Sequence, residues 1–285
     1  MNCNKNTLPM LCKDKIISIF CLVDDILKGI GHKEDSRRAV SDSEIILTAV
    51  VASTGFYGNH SSAMLFMKQY GFIPQMLDKS RFNRRLHQLG TLLYEVFSTV
   101  SSYFKYICCE LDYIIDSFPI EVCKNIRIGR SKLITGKKWR GYTASMHSYF
   151  YGVKVQLLTA KNGIPIAFHF TPGRTADVKA IGKMIQQLPP ESSVYGDSAY
   201  LDYEVEDNAF EKLAILLKIQ RKSNSKRMDT KEQTANKLKM RKRIEVAISD
   251  IKKLFPRTIH AVTLDGLLIK LTLFIFGVQL KKFIN

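Results

Sequence analysis

The sequence predicts an α/β protein in which an all-helical region, residues 1–105, precedes a mixed α/β domain, residues 106–285. Three observations lead to this prediction. Apolar residues recur at helical spacing through the first hundred residues. From about residue 106 the pattern changes to short β-prone runs that alternate with helical ones. Hydrophobic residues make up 46% of the 285 residues and charged residues 24%, which excludes a disordered chain.

The first three helices of the N-terminal region are indicated by periodicity and by capping signals. Isoleucine, phenylalanine and valine recur at helical spacing over 16–23. Ser41 followed by Glu44 matches a capping box in front of the apolar run 45–51. A third helix is expected over 61–70, where glycine and proline follow and stop it.

A short helix over 80–89 completes this region. Phe82, Leu86 and Leu89 lie on one of its faces by their spacing. Its other faces carry the basic side chains Arg81, Arg84 and Arg85. Helices with basic faces often lie in a DNA groove, so these arginines are candidate DNA contacts. For this helix taken alone, a solvated basic face is an equally good explanation.

The mixed domain is expected to contain a five-stranded mixed sheet with flanking helices. The β-prone runs are 113–116, 149–159, 164–171, 194–197 and 214–219. The turn signal Asn162-Gly163 joins the second and third runs into a hairpin. The helical runs are 175–188, 203–212, 231–254 and 263–283. Thr175 or Asp177 is expected to cap the first of these helices.

The charge of the chain predicts a polyanionic partner. Lysine and arginine number 43 against 26 aspartates and glutamates, a formal charge of +17. Residues 218–285 hold 17 basic and 5 acidic side chains, whereas residues 1–105 hold 13 and 9, and residues 106–217 hold 13 and 12. A surplus that served solubility alone would be spread more evenly. Nucleic acid or an anionic membrane surface is therefore the expected partner.

Two basic segments are candidate phosphate-binding surfaces. Residues 122–141 contain seven lysines and arginines and no acid, and residues 218–243 contain eleven against two acids. The candidates in the first segment are Arg127, Arg130, Lys137, Lys138 and Arg140. Such contacts set affinity and salt dependence rather than sequence preference. Trp139, the single tryptophan, either packs in the interior or stacks on an exposed base.

Several function classes are disfavoured by what the sequence lacks. The six cysteines form no CxxC pair and no zinc spacing with histidine, which favours free buried thiols in a reducing cytoplasm. His147, His169 and His260 are not spaced as metal ligands. The most apolar stretch, 267–280, is too short and too interrupted to span a bilayer, and no signal peptide is visible. A cytoplasmic protein is expected.

Three acids are candidates for metal chemistry. Asp116 and Asp197 each follow a short apolar strand, so they converge if those strands are neighbours. Glu245 shares a face of the long predicted helix with Arg241 and Lys252. Mg²⁺ prefers oxygen ligands, and two such ions can activate an attacking oxygen and stabilise a leaving one. Taken singly, each acid also has a structural explanation as a turn residue, helix cap or ion-pair partner.

The segments that carry these acids resemble the DDE transposases of bacterial insertion sequences, most closely the insertion-sequence 982 family. They are Ile114-Ile115-Asp116-Ser117, Tyr195-Gly196-Asp197-Ser198-Ala199-Tyr200 and Arg241-x₃-Glu245-x₆-Lys252. The Gly163-Ile164-Pro165 hairpin and the run 80–86 are similar to the family too, so the likeness covers most of the chain. Leu238 stands where the commonest form of the family has a tyrosine.

The resemblance implies an RNase H-like catalytic domain after a helix-turn-helix-like DNA-binding region. It implies that Asp116, Asp197 and Glu245 bind two Mg²⁺ ions, for which Mn²⁺ can substitute, with Asp116 bridging both. It further implies cleavage of double-stranded DNA at the element ends and transfer of the freed 3′-hydroxyl strand into target DNA, by a homodimer at the bacterial nucleoid. Arg241 and Lys252 would contact phosphates.

Two other functions stay open on the sequence. One is an RNase H-like nuclease without strand transfer, against which the N-terminal helices count. The other is a DNA-binding transposase derivative that has lost catalysis and acts as a repressor, against which the three acids count.

Overall fold

The computed structural model describes residues 12–143 and 147–284. They form two compact units. One consists of the described residues up to Phe104 together with those from Asp250, and the other is Lys105–Ser249. The helices are α1 (Lys13–Gly29), α2 (Asp42–Gly55), α3 (His60–Gln69), α4 (Lys79–Gln88), α5 (Gly90–Cys108), α6 (Val178–Ile185), α7 (Tyr203–Leu213), α8 (Lys231–Lys253) and α9 (Leu264–Phe283).

The first unit is helical, and α2 lies at its centre. The capping box predicted at the start of α2 is confirmed, because the Glu44 backbone N–H donates to Ser41 Oγ at 3.1 Å and the Ser41 N–H donates to Glu44 Oε2 at 2.7 Å. Nearly every residue of α2 is buried, and the helix packs against α1, α3, α4 and α9. Along α4, Phe82 and Leu86 are buried as their spacing predicts.

The C-terminal helix α9 belongs to this first unit, whereas the boundary drawn from the sequence left it with the mixed domain. It is buried from Leu271 to Leu280 without interruption. A helix that is apolar on all sides needs neighbours around it, and α2 supplies one of them. This requirement is three-dimensional, so the order of elements along the chain did not reveal it.

The second unit contains a mixed sheet of six strands. They are β1 (Asp112–Cys123), β2 (Arg140–Thr143), β3 (Ser148–Ala160), β4 (Pro165–Pro172), β5 (Ser193–Gly196) and β6 (Leu216–Ile219). Their order is β2-β3-β1-β5-β6, and β4 also pairs with β3. β3 is antiparallel to β1, β2 and β4, whereas β1–β5 and β5–β6 are parallel. The predicted β3–β4 hairpin is confirmed, with Gly163 at φ +82° in its turn.

The prediction of five strands was wrong by one, because none of the predicted β-prone runs includes β2. Its sequence, Arg-Gly-Tyr-Thr, lacks an apolar alternation, and it is defined by its backbone pairing with β3. β1 is also longer than predicted, since it continues through Pro119. Proline is tolerated there because β5 pairs only with 112–114 and leaves the rest of that edge of β1 unpaired.

The cysteines are free but not buried. Cys12, Cys21, Cys108, Cys109 and Cys123 are unbonded; three of them are exposed and two half-buried, so the expected burial was wrong. Cys3 lies outside the described residues. Across 12–143 and 147–284, we find no helix with the length and apolar character needed to cross a bilayer.

Candidate active site

The parallel pairing of β1 with β5 brings two of the predicted acids together. Tyr113 lies opposite Val194 and Ile114 opposite Tyr195. Asp116 and Asp197 follow these pairs by two residues each, so both reach the same end of the sheet. They line one small pocket together with Ile114, Ile115, Tyr195, Gly196, Gln220, Lys237, Arg241 and Ile244. Asp116 lies within β1 rather than at its end, but just beyond the part that β5 pairs.

Both aspartates are held in a partly desolvated environment. Burial raises the pKa of Asp116 to about 7; a hydrogen bond from the Ser117 N–H at 2.7 Å lowers that pKa, and the charge of Asp197 raises it. Burial also raises the pKa of Asp197, whose Oδ1 accepts from the Ala199 N–H at 2.9 Å. The Arg241 guanidinium opposes both shifts.

This pair fits a divalent cation. Each carboxylate uses one oxygen for a local backbone N–H, and the other oxygen accepts no hydrogen bond from any described residue. Two carboxylates that repel each other and are partly desolvated are stabilised in their charged form by a bound hard cation. The donor set therefore suits Mg²⁺ or Mn²⁺.

Glu245 is not with the two aspartates in this structure. Its side chain is 55% exposed on α8 and accepts from Arg241 Nε at 3.3 Å, the ion pair that its spacing also predicted. Among the aspartates, glutamates, histidines and cysteines of the described chain, no three or more are grouped as metal ligands would be. The metal-binding triad thus stays a prediction, of which Asp116 and Asp197 share a pocket.

Divalent-metal affinity is expected to rise as the pH passes through about 7. Metal binding requires the ionised carboxylate, and Asp116 is half protonated near that pH. The folded-state pKa of Asp116 lies above its unfolded value of 3.8, so the metal-free protein should lose the corresponding stability as the pH rises from about 4 to about 7. Thermal unfolding with and without Mn²⁺ should show a larger shift in Tm at about pH 8 than at about pH 6. Equal shifts at both pH values would count against Asp116 as a metal ligand.

A lysine that the sequence analysis did not single out anchors α8 beside the pocket. Lys237 is buried, and its Nζ donates to both carboxylate oxygens of Asp229, at 2.6 and 2.7 Å, and to the Ile219 carbonyl at 2.9 Å. It lies one turn before Arg241, on the same face of α8. The i, i+4 spacing of Lys237 and Arg241 could have indicated that they share a face of α8. The many other basic residues of 218–243 kept this pair from standing out.

Asp177 has a different role from the predicted one. It precedes α6, but its side chain makes no capping hydrogen bond to the described backbone. Its Oδ1 lies 3.0 Å from Lys154 Nζ and accepts from the Gln156 amide. It is also close enough to raise the pKa values of Asp116 and Asp197. A half-buried lysine partner outcompetes the helix end for this carboxylate.

The three arginines of α4 have different environments. Arg81 is exposed and pairs with Asp78 at 3.2 Å, and Arg84 is exposed. Arg85 is only 14% exposed and donates to the carboxylate of Asp42 and to the Val40 carbonyl. Burial alone would raise the pKa of Asp42, but hydrogen bonds from His32 and Arg85 bring it below its usual value. Arg85 therefore stabilises the fold, and Arg81 and Arg84 are left accessible to a ligand.

The basic side chains of the segment 122–141 are accessible. The segment contains two short 3₁₀ helices, Asn125–Arg130 and Lys137–Trp139. Its candidate phosphate contacts Arg127, Arg130, Lys137, Lys138 and Arg140 are all exposed, as is Lys252 on α8. Trp139 is buried, so the packed alternative describes its indole. His147, His169 and His260 form no metal group within the described chain.

One comparison with known proteins gives a match. A family model described as "Transposase DDE domain" matches residues 108–261, slightly more than half of the chain. The matched range includes Asp116, Asp197 and Glu245, and it covers the whole sheet. Neither a curated protein nor a solved structure matches the chain.

Proposed function

The chain belongs to the transposase DDE domain family, and from this we propose that it cleaves DNA at the ends of an insertion sequence and joins the freed 3′-hydroxyl to target DNA. The observation that carries the proposal is the pair of half-buried carboxylates, Asp116 and Asp197, at one end of neighbouring parallel strands. The mixed sheet with its helices suits an RNase H-like fold. The motif spacing supports membership of the insertion-sequence 982 family.

Asp116, Asp197 and Glu245 would hold the divalent ions in this proposal. When bound, Mg²⁺ or Mn²⁺ supplies Lewis-acid activation of the attacking oxygen and stabilisation of the leaving 3′-oxygen. We include Glu245 because of the motif spacing. It is one helical turn from Arg241, which lines the aspartate pocket and is its partner in the ion pair.

The chain's own residues would bind and orient the DNA strand. Asp116 must lose its proton, and with a pKa of about 7 it is poised to do so near neutral pH. Arg241 lies beside both aspartates, where its guanidinium can donate two N–H groups to two oxygens of one phosphate. Lys237, locked to Asp229, fixes the helix that carries Arg241.

The helical first unit would supply sequence recognition. α3 and α4 are consecutive short helices in contact, since His60 bonds Asn83 at 3.1 Å and packs edge-on against Phe82. The exposed Arg81 and Arg84 on α4 suit the second helix of a helix-turn-helix-like element. We propose action as a homodimer on paired element ends in the bacterial cytoplasm.

Incubation with Mg²⁺ and labelled element ends tests the function. We expect strand cleavage and, with target DNA present, joined products of greater length. Cleavage without joined products would favour the nuclease alternative. Salt-sensitive binding without any metal-dependent cleavage would favour the non-catalytic derivative.

The salt dependence of DNA binding tests the basic segment. The variant Lys137→Ala/Lys138→Ala removes two exposed cations. The negative slope of log association constant against log salt concentration should therefore become shallower by roughly 1.8, about 0.9 for each phosphate that the variant no longer neutralises. Filter binding across a salt series measures this slope. Lys212→Ala, an exposed lysine outside both basic segments, is the control and should keep the wild-type slope. An unchanged slope in the double variant would exclude this surface.

A further inference from the structure

A chain of buried polar contacts supports the two aspartates from behind. The Tyr200 hydroxyl donates to Gln156 Oε1, and the Gln156 amide donates to Asp177 Oδ1. Lys154 Nζ lies 3.0 Å from the same carboxylate oxygen and donates to the Thr175 carbonyl at 3.1 Å. Tyr200 and Gln156 are 1% and 0% exposed. Buried polar side chains are costly unless every partner is present, and here each finds one.

These side-chain hydrogen bonds join the two elements that carry the aspartates. Gln156 on β3 lies directly opposite Ser117, the residue that follows Asp116 on β1. Tyr200 closes the 3₁₀ turn that begins after Asp197, and its backbone N–H donates to the Asp197 carbonyl at 3.2 Å. One side-chain hydrogen bond therefore connects the turn that holds Asp197 to the strand that flanks Asp116.

The connection is made on the face of the sheet away from the pocket. Cross-strand neighbours share a face, so the Gln156 side chain lies on the Ser117 side of the sheet. Successive residues of a strand alternate, which places the Asp116 side chain on the opposite side. Tyr200 and Gln156 are also absent from the residues that line the pocket. They thus lie outside the pocket lining and affect a ligand through the aspartates, by fixing their geometry and by the electrostatic interaction of the Tyr200 hydroxyl with both carboxylates.

We infer that Tyr200 and Gln156 are positioning residues that fix the separation between Asp116 and Asp197 and thereby set the affinity of the site for divalent cations. Asp177 and Lys154 orient the Gln156 amide, because Asp177 takes its N–H and leaves its oxygen for Tyr200. The inference rests on the proposed function, since it requires a cation at the two aspartates.

The variant Tyr200→Phe tests this inference, because it removes one hydroxyl and keeps the ring. Its matched control is Tyr113→Phe on β1, where another fully buried tyrosine donates to the Glu110 carbonyl at 2.6 Å. Both changes remove one tyrosine hydrogen bond from the same unit, but only the first touches the polar chain. We expect the Kd for Mn²⁺, followed by electron paramagnetic resonance, to rise at least about tenfold in Tyr200→Phe. In Tyr113→Phe it should stay near the wild-type value.

The outcomes separate this inference from the proposed function. Wild-type affinity in a folded Tyr200→Phe, or an equal loss in Tyr113→Phe, would overturn the positioning role while leaving the proposed function intact. A wild-type protein that binds no Mn²⁺ would overturn the proposed function itself. If Tyr200→Phe does not fold, Gln156→Asn tests the same bond, since it draws the amide oxygen back by one methylene. The same rise in Kd is then expected, and an unchanged Kd refutes the inference.

Discussion

Replacing Asp116 by Asn is expected to lower the rate of metal-dependent DNA cleavage by about a thousandfold. The carboxylate is one of the two that share the pocket, and loss of its charge weakens the site for a cation that contributes several kcal/mol to the transition state. A loss of about 4 kcal/mol corresponds to about a thousandfold in rate. The initial rate of nicking on labelled element ends, at saturating Mg²⁺, measures the effect.

Asp112→Asn is the matched control for this prediction. Asp112 begins the same strand, but its carboxylate pairs with Lys161 at 2.7 Å and does not line the pocket. The control should cleave DNA at close to the wild-type rate, and Asp197→Asn should resemble Asp116→Asn. Undiminished cleavage by Asp116→Asn would remove the aspartate pair from the chemistry and leave the proposed function without its main support.

Replacing Arg85 by Ala is expected to lower the free energy of unfolding of the helical unit by about 3–5 kcal/mol. The change leaves the carboxylate of Asp42, which is 1% exposed, without the cationic partner Arg85. Removing one partner of a buried ion pair lowers the free energy of unfolding by about 3–5 kcal/mol. His32 and Arg38 also contact this carboxylate, so the effect should fall toward the lower end of the range. Chemical denaturation followed by circular dichroism measures the change.

Arg84→Ala separates this structural role from DNA contact. Arg84 is on the same helix but exposed, so its loss should change stability by less than about 0.5 kcal/mol and should weaken DNA binding. If Arg85→Ala were as stable as the wild type and bound DNA as weakly as Arg84→Ala, Arg85 would be a DNA contact after all.

The elements that could be predicted from the sequence are those whose signals lie within a few residues. The capping box of α2 needs only Ser41 and Glu44, and the β3–β4 hairpin needs two β-prone runs around Asn162-Gly163. The buried face of α4 follows from the spacing of Phe82 and Leu86. Each is a local interaction, so its geometry repeats wherever the same pattern occurs.

Predictions were less complete for features that depend on a partner far away in the sequence. β2 was missed because it is defined by its pairing with β3, and the expected capping by Asp177 is replaced by a bond to Lys154, 23 positions earlier in the chain. Arg84 and Arg85 are both candidate DNA contacts by residue type, and the partner that gives Arg85 a structural role is the buried Asp42, 43 positions earlier in the chain. Charge and spacing identify candidate DNA contacts, but they do not show which of these side chains are buried in the folded protein.

By itself, the sequence determined the order of the elements other than β2, the uneven basic charge and the three acids at family-like spacing, because these depend on residue type and on separation along the chain. The tertiary structure decided that β1 and β5 are neighbours, that Asp116 and Asp197 therefore share a pocket, and that Glu245 does not line that pocket. It also showed the polar chain from Tyr200 to Lys154. Burial and strand pairing between distant residues set these contacts, and desolvation raised the pKa of both aspartates only once the fold had enclosed them.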